Sequence, residues 1–203
     1  MAKRLSDDEV TKNMELVMKL VEKFPEPRKS LVKKMFDGPV GETYFTAPAS
    51  SKEDYHSAYP GGLVQHSLNV VRSLKLLTDT LCPGRYDGQT VVFVGLFHDL
   101  GKGSDGENDF YVPNPSEWHR NKLGKLYENN HNSPFMPHHL RSLYILQKYE
   151  IVVSSDEYLA ILTHDGQYQE ANKPFAMKEP ELALLLHWSD RFSCEQEKRE
   201  NKR

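Results

Sequence analysis

The stretch VVFVGLFHDLGK, Val91 to Lys102, sets an imidazole and a carboxylate side by side at the end of an almost wholly apolar run. Burying His98 and Asp99 without partners costs several kcal/mol, roughly the penalty of unpaired polar groups in an interior. A divalent cation offsets that penalty, and neutral imidazole nitrogen with carboxylate oxygen suits such ions. The dipeptide alone is common by chance. Its meaning depends on whether further histidines and acids lie on inward faces elsewhere in the chain.

The bulk properties narrow the classes. With 203 residues, the chain is long enough for one domain with a large core and short for two. Its 38% hydrophobic and 27% charged residues fit a globular protein and neither a disordered nor a membrane one. The longest apolar run, Val91 to Phe97, is far below the roughly 20 residues of a membrane span. Met1 to Glu9 carries Lys3-Arg4 but has no apolar segment behind it, so no signal peptide is read there. Cys82 and Cys194 give neither a disulfide framework nor a zinc-finger spacing, and a cytoplasmic location is expected. A net charge of −3 weighs against a general nucleic-acid binder. The basic cluster Lys198 to Arg203 reads as a solvated tail.

Periodicity is helical almost throughout. Ser6 followed by Glu9 forms a capping-box signature for a helix to about Lys23, carrying Val10, Met14, Val17 and Val21 on one side. Pro25 and Pro27 stop it, and a short helix through Leu31 and Phe36 follows. Gly38 to Gly62 reads as a long functional connection. Leu63, Val70, Leu74, Leu77 and Leu81 recur at helical spacing, and a buried helix is expected from Gln89 to Leu100 with Gly101 as its C-cap. The β-branched run Val91 to Val94 leaves a strand open there. Gly103 to Pro115 reads as loop, with helices near Lys122 to Asn129, Pro137 to Tyr149, Ser154 to Thr163 and Glu179 to Lys198. The organisation expected is one domain over 1–203, with its core at about 44–195, an N-terminal helical extension over 1–43 and a charged tail over 196–203.

Nine histidines are present, nearly all between His56 and His164. His66 shares its helical side with Val70, Leu74 and Leu77, where a core histidine bonded to backbone is the plain alternative to a ligand. Asp190 lies four residues after Leu186 and eight after Leu182, so an acid sits on an apolar stripe and needs a cation beside it. His66, His98, Asp99 and Asp190 together give two imidazoles and two carboxylates from three helices.

This set resembles the ligands of the HD-domain metal-dependent phosphohydrolase superfamily. Around it, Tyr59-Pro-Gly-Gly-Leu-Val-Gln-His-Ser-Leu68 and His98-Asp-Leu-Gly-Lys102 are similar to the branch of bacterial 3′–5′ exoribonucleases and phage HD hydrolases. Ala47-Pro-Ala to His66 has a similar form in that branch, and the resemblance spans roughly residues 44–195. It implies an all-α HD-domain bundle of five or more core helices around a metal site. Some members hold a second metal with two more histidines, for which His138 and His164 are the candidates. Ser142, a small residue one turn after His138, matches the family pattern, but His139 shares a side with Leu143 and Leu146, and periodicity does not separate the two. One or two divalent ions are expected, with Mn, Mg, Co, Fe, Ni and Zn not distinguished.

Such a site activates water for attack on a phosphorus ester. Asp99 is the expected bridge between metals and, with Lys102 beside the substrate phosphate, a catalytic candidate; a solvated lysine complementing a helix end is the alternative for Lys102. His119, Arg120, Lys122 and Tyr127, with Trp118 and Lys125, interleave cations and aromatics as a phosphate and a stacked base require. His56 and Tyr59 are expected to line the approach. Asp165 reads as turn chemistry or a proton carrier, and His187 as structural. The expected function is hydrolysis of a phosphate ester of a nucleotide, a nucleoside monophosphate or small phosphodiester, by metal-activated water. A 3′–5′ exonuclease on single-stranded RNA or DNA and a non-catalytic nucleotide-binding domain are the alternatives. The expected partner is a nucleotide-type small molecule, with nucleic acid possible as substrate and no membrane.

Overall fold

A computed structural model describes residues 5–201. Its helices are α1 Asp7–Val21, α2 Arg28–Phe36, α3 Pro39–Thr46, α4 Gly62–Leu81, α5 Gly88–Phe97, α6 Glu117–Leu123, α7 His138–Lys148, α8 Ser155–Thr163 and α9 Glu181–Asn201. Two three-residue strands, β1 Tyr111–Pro113 and β2 Tyr127–Asn129, pair antiparallel with Tyr111 opposite Asn129. The all-α bundle is as expected from the periodicity. Among the described residues, no helix is long and apolar enough to cross a membrane.

Local chemistry explains the helix starts. Ser6 and Glu9 close the predicted capping box on α1, and Ser154 with Glu157 closes a second on α8. The Asp87 carboxylate caps α5 by accepting from the Thr90 N–H at 2.6 Å. Long α4 lies between α5 and α9, α8 packs on α9, α7 and α5, and α1 and α3 close the remaining side of α4. Phe24, Phe93 and Phe97 fill the core between α5 and the N-terminal helices, with ring centroids 5.0–6.5 Å apart.

Several expectations are corrected. Residues 17–36 are not set apart as an extension: Val17, Val21, Phe24, Val32, Met35 and Phe36 belong to the same buried cluster as α4 and α5. The connection from Gly38 contains α3, because Pro39 is preorganised for a first helical turn; irregular chain runs only from Ala47 to Gly61. The helix read near Lys122 to Asn129 ends at Leu123, since Gly124 turns into the left-handed region and β2 follows, pairing with β1 in what was read as loop. Residues 196–201 continue α9, and Glu197 is buried. Val91 to Val94 lies in a helix, so the strand alternative falls.

The end of α5 positions the site. A continuous helix to Leu100 was expected, but α5 stops at Phe97, and Asp99 leaves helical geometry at φ −105°, ψ 10°. A tight turn follows over Leu100–Lys102. Adjacent side chains of an uninterrupted helix diverge by about 100°, and this break lets His98 and Asp99 converge. The turn docks on α7, where the Ser142 hydroxyl accepts from the Gly101 N–H at 2.8 Å and lies 2.9 Å from the His98 carbonyl. Buried Arg141 donates to the Gly101 and Gly103 carbonyls at 2.8 and 2.6 Å and to the Asn108 carbonyl, fixing the loop that follows.

A Cβ on Gly101 would stand 2.1 Å from the His138 carbonyl oxygen, so α7 approaches closer than any other residue permits. Gly101→Ala is expected to destabilise the fold by about 3 kcal/mol, the upper range for overpacking. Urea unfolding of the variant beside the parent measures the loss; an unchanged midpoint would contradict this docking.

Candidate metal centre

Asp99 is the hub, and its two oxygens face different sets of groups. Oδ2 lies 2.6 Å from Lys102 Nζ, 3.5 Å from His98 Nε2 and 3.7 Å from His66 Nε2. Oδ1 lies 3.4 Å from His138 Nε2 and 3.5 Å from His164 Nε2. Asp190 Oδ1 is 3.0 Å from His66 Nε2 and 4.0 Å from His98 Nε2. The ligands come from α4, the end of α5, the start of α7, the end of α8 and the middle of α9. His66, His98, Asp99 and His164 are buried, while Asp190, His138 and Lys102 are partly exposed and rim the opening.

The ring orientations are fixed from behind. His98 Nδ1 is 2.9 Å from the Gly95 carbonyl and His164 Nδ1 is 2.8 Å from the Ile161 carbonyl, so each Nδ1–H donates there. His66 Nδ1 lies 3.1 Å from the Glu197 carboxylate, which also accepts from Ser57 Oγ and Asn69 Nδ2, each at 2.8 Å. When a ring is neutral with Nδ1 protonated, it directs an Nε2 lone pair at Asp99 or Asp190. Nε2 of His66, His98 and His138 and Oδ1 of Asp99 are buried without a hydrogen-bond partner.

Lone pairs facing lone pairs in an interior need a positive charge between them, which either a proton or a metal ion supplies. His66, His98 and Asp190 form one group able to hold a metal ion, and His98, Asp99 and His164 another. Donor atoms on one ion with bonds of about 2.1 Å lie roughly 3.0–3.4 Å apart, close to the spacing found here. The residues present therefore fit divalent metal.

The electrostatics tell the same story. Burial alone would raise the Asp99 carboxyl, but Lys102 and His98 hold it well below the usual carboxylate range. Burial is likewise overcome at Asp190, which His66 holds low. Burial opposes charge on His66, yet Glu197 and Asp190 push it up to about 10; Asp165 and Asp99 push His164 up to about 9 against the same opposition. Without metal, protons fill the places that cations suit.

Of the residues expected to bind substrate, His56 stacks on His66 with centroids 4.6 Å apart, and burial holds it neutral at about 3. Tyr59 is buried with its hydroxyl 3.3 Å from Ser57 Oγ. Residues 47–61 and the β1–β2 segment form one cover, joined by the Glu53 N–H to the Gly124 carbonyl and the Tyr127 N–H to the Ser51 carbonyl. The α6 residues lie on that cover without hydrogen bonds, ion pairs or ring contacts to the Asp99 cluster. Arg120 donates to the Asn114 carbonyl, His119 meets Trp118 edge-on at 5.2 Å, and Lys122 is exposed. Tyr127 sits 6.4 Å from Tyr111. Tyr111 is the aromatic the sequence reading passed over: burial raises its hydroxyl, and Lys102, Asp99 and Asp165 are near enough to act on it.

Three more residues were missed or misread. His138 reaches Asp99, as preferred, while buried His139 faces Asp165, its Nδ1 3.2 Å from Oδ2. Asp165, read as turn chemistry or a proton carrier, lies 3.3 Å from His138 and 3.8 Å from His164. Glu197 falls seven residues after Asp190 on the same helical face, a spacing that points to it. His187 is structural, as expected, donating from Nδ1 to the His164 carbonyl at 2.7 Å.

No protein-family model, curated protein or solved structure matches the chain. The case for a function therefore stands on this geometry and on the sequence motifs.

The charge pattern predicts how the metal-free protein responds to pH. His66 and His164 have folded values of about 10 and about 9, above their ordinary 6.5. Their protonation thus favours the folded state fully below pH 6.5, and that stabilisation is lost as pH rises through 9 and 10. Asp99, Asp165 and Asp190, held below their ordinary 3.8, contribute above it and lose their contribution in acid. Melting of chelator-treated protein is expected to fall in temperature between pH 6.5 and 9 and to level out with a saturating divalent ion. A flat metal-free profile would refute this account.

Proposed function

We propose that the chain is a metal-dependent phosphohydrolase of HD-domain type that cleaves a phosphate ester of a nucleotide. The observation that carries the reading is the division of Asp99: one oxygen toward His66 and His98 beside Asp190, the other toward His138 and His164. His66, His98, Asp99 and Asp190 would hold one ion; Asp99, His138 and His164 would hold a second. Divalent ions in these places supply Lewis acidity toward a phosphoryl oxygen and a nucleophilic water near neutral pH.

The chain's own residues perform the rest. Asp99 fixes the spacing of the two halves because one rigid carboxylate serves both. Lys102, partly exposed and ion-paired to Asp99 at 2.6 Å, holds a permanent positive charge at the mouth, where an incoming phosphate dianion meets it. The Nδ1–H bonds of His66, His98 and His164 keep their Nε2 atoms inward and prevent the rings from turning away. His56 against His66 and Tyr111 near Lys102 set aromatic rings beside the cluster.

Asp99→Ala is expected to retain the helical fold and lose metal-dependent hydrolysis by roughly 10³-fold or more, the scale seen when one member of a catalytic unit is removed. The assay is a panel of nucleoside mono-, di- and triphosphates, cyclic nucleotides and labelled oligonucleotides, each with Mn²⁺, Mg²⁺ and Co²⁺. Phosphate release from mononucleotides supports the proposal. Stepwise shortening of oligonucleotides alone replaces it with the exonuclease reading, and full activity of Asp99→Ala overturns the mechanism. Metal and nucleotide binding without turnover leaves a binding domain.

A further inference from the structure

We propose that Asp165 is a fourth protein ligand of the second ion, completing with Asp99, His138 and His164 a set of two imidazoles and two carboxylates, and that His139 holds it in place. This rests on the two-ion reading above. Asp165 is partly buried, with Oδ2 3.3 Å from His138 Nε2 and Oδ1 3.8 Å from His164 Nε2. The same nitrogens lie 3.4 and 3.5 Å from Asp99 Oδ1. Three of these distances, 3.3–3.5 Å, are close to those of donor atoms around one centre, and the Asp165–His164 contact is longer.

Acceptor accounting decides against a turn residue. His164 spends its Nδ1–H on the Ile161 carbonyl, so its Nε2 offers a lone pair to Asp99 Oδ1 and Asp165 Oδ1. When the ring is neutral, three acceptors converge there, and a metal ion would satisfy all three. Asp165 also carries the anchor expected behind a ligating carboxylate, the His139 ring with its Nδ1 3.2 Å from Oδ2. His138, His139 and Asp165 are by themselves a group able to hold a metal ion.

The backbone carrying Asp165 is fixed on both sides. His187 donates to the His164 carbonyl at 2.7 Å, and buried Asn172 donates to the Gly166 carbonyl at 2.9 Å. Gly166 follows at φ 78°, where a Cβ would stand 2.3 Å from the His187 ring. A turn that merely reversed the chain would need none of these supports. The first site already has the composition proposed for the second, since His66 and His98 are joined there by Asp99 and Asp190.

The test titrates chelator-treated protein with Mn²⁺, following heat and the electron paramagnetic resonance spectrum. Wild type is expected to take up two ions and to develop the spectrum of a coupled Mn²⁺ pair. Asp165→Asn, which keeps shape and the contact with His139, is expected to weaken the second ion roughly 100-fold or more and leave the first unchanged, giving an uncoupled signal. His139→Phe should weaken the second ion by a smaller factor. Two ions at wild-type affinity in Asp165→Asn would overturn the assignment while the two-ion reading stands. Uptake of one ion or none by wild type would remove that reading, and this inference with it. Should Asp165→Asn fail to fold, anomalous diffraction from Mn²⁺-loaded wild-type crystals decides: an Asp165 oxygen within roughly 2.5 Å of the second peak supports the assignment, and a longer distance rejects it.

Discussion

A carboxylate buried among four imidazole nitrogens is the constraint around which this bundle is arranged. Asp99 is 1% exposed, and charge in that position survives only with compensation on every side. Five helices bring that compensation, and each does so at an end or on an inward stripe where its backbone is already committed. The α5 helix ends one residue before His98, and the docking of Gly101 on α7 holds the break open. Stability and chemistry are therefore not separable here. The turn that places the acid is the same turn that joins two halves of the core.

Behind the converging nitrogens stands a layer of hydrogen bonds that fixes tautomers. Two of its acceptors are backbone carbonyls of the helix that carries the histidine, at Gly95 and Ile161. Those need no further design, because a helix end supplies free carbonyls. The third, Glu197, is a buried charge pulled down to about 2 by His66 despite its burial. It differs in kind: a carboxylate raises the basicity of the ring it holds, and a carbonyl does so less. The two proposed ion positions would therefore not be electronically alike, with the stronger electron push at His66.

Much of the site was legible because ligands on helices obey the helix period. His66 and Asp190 were visible as polar interruptions of apolar stripes, and His98-Asp99 as a polar end to an apolar helix. Adjacent His138 and His139 were not separable, because both flank apolar positions and the structure uses both, one toward Asp99 and one toward Asp165. The approach of Asp165 to His138 and His164 was hidden by Gly166, whose presence made Asp165 look like part of a turn. Glu197 was hidden by the charges around it, which made the last turns of α9 look like a solvated tail. The β1–β2 cover was illegible for another reason: three-residue strands carry no period, and their pairing is set by residues far away in sequence. Likewise α1 and α2 read as an extension, since nothing local says which core a stripe will join.

The anchor on His66 has a consequence for the order of assembly. His66 and Glu197 are 131 residues apart, whereas Gly101 and Ser142 are separated by 41. Closing the longer loop carries the greater entropic penalty, so on topology the joint between the turn and α7 precedes the docking of α9. Until α9 seats, His98 and Asp99 stand together while His66 is unheld and Asp190 is missing. An ion held tightly in that position would thus mark a chain that has finished folding.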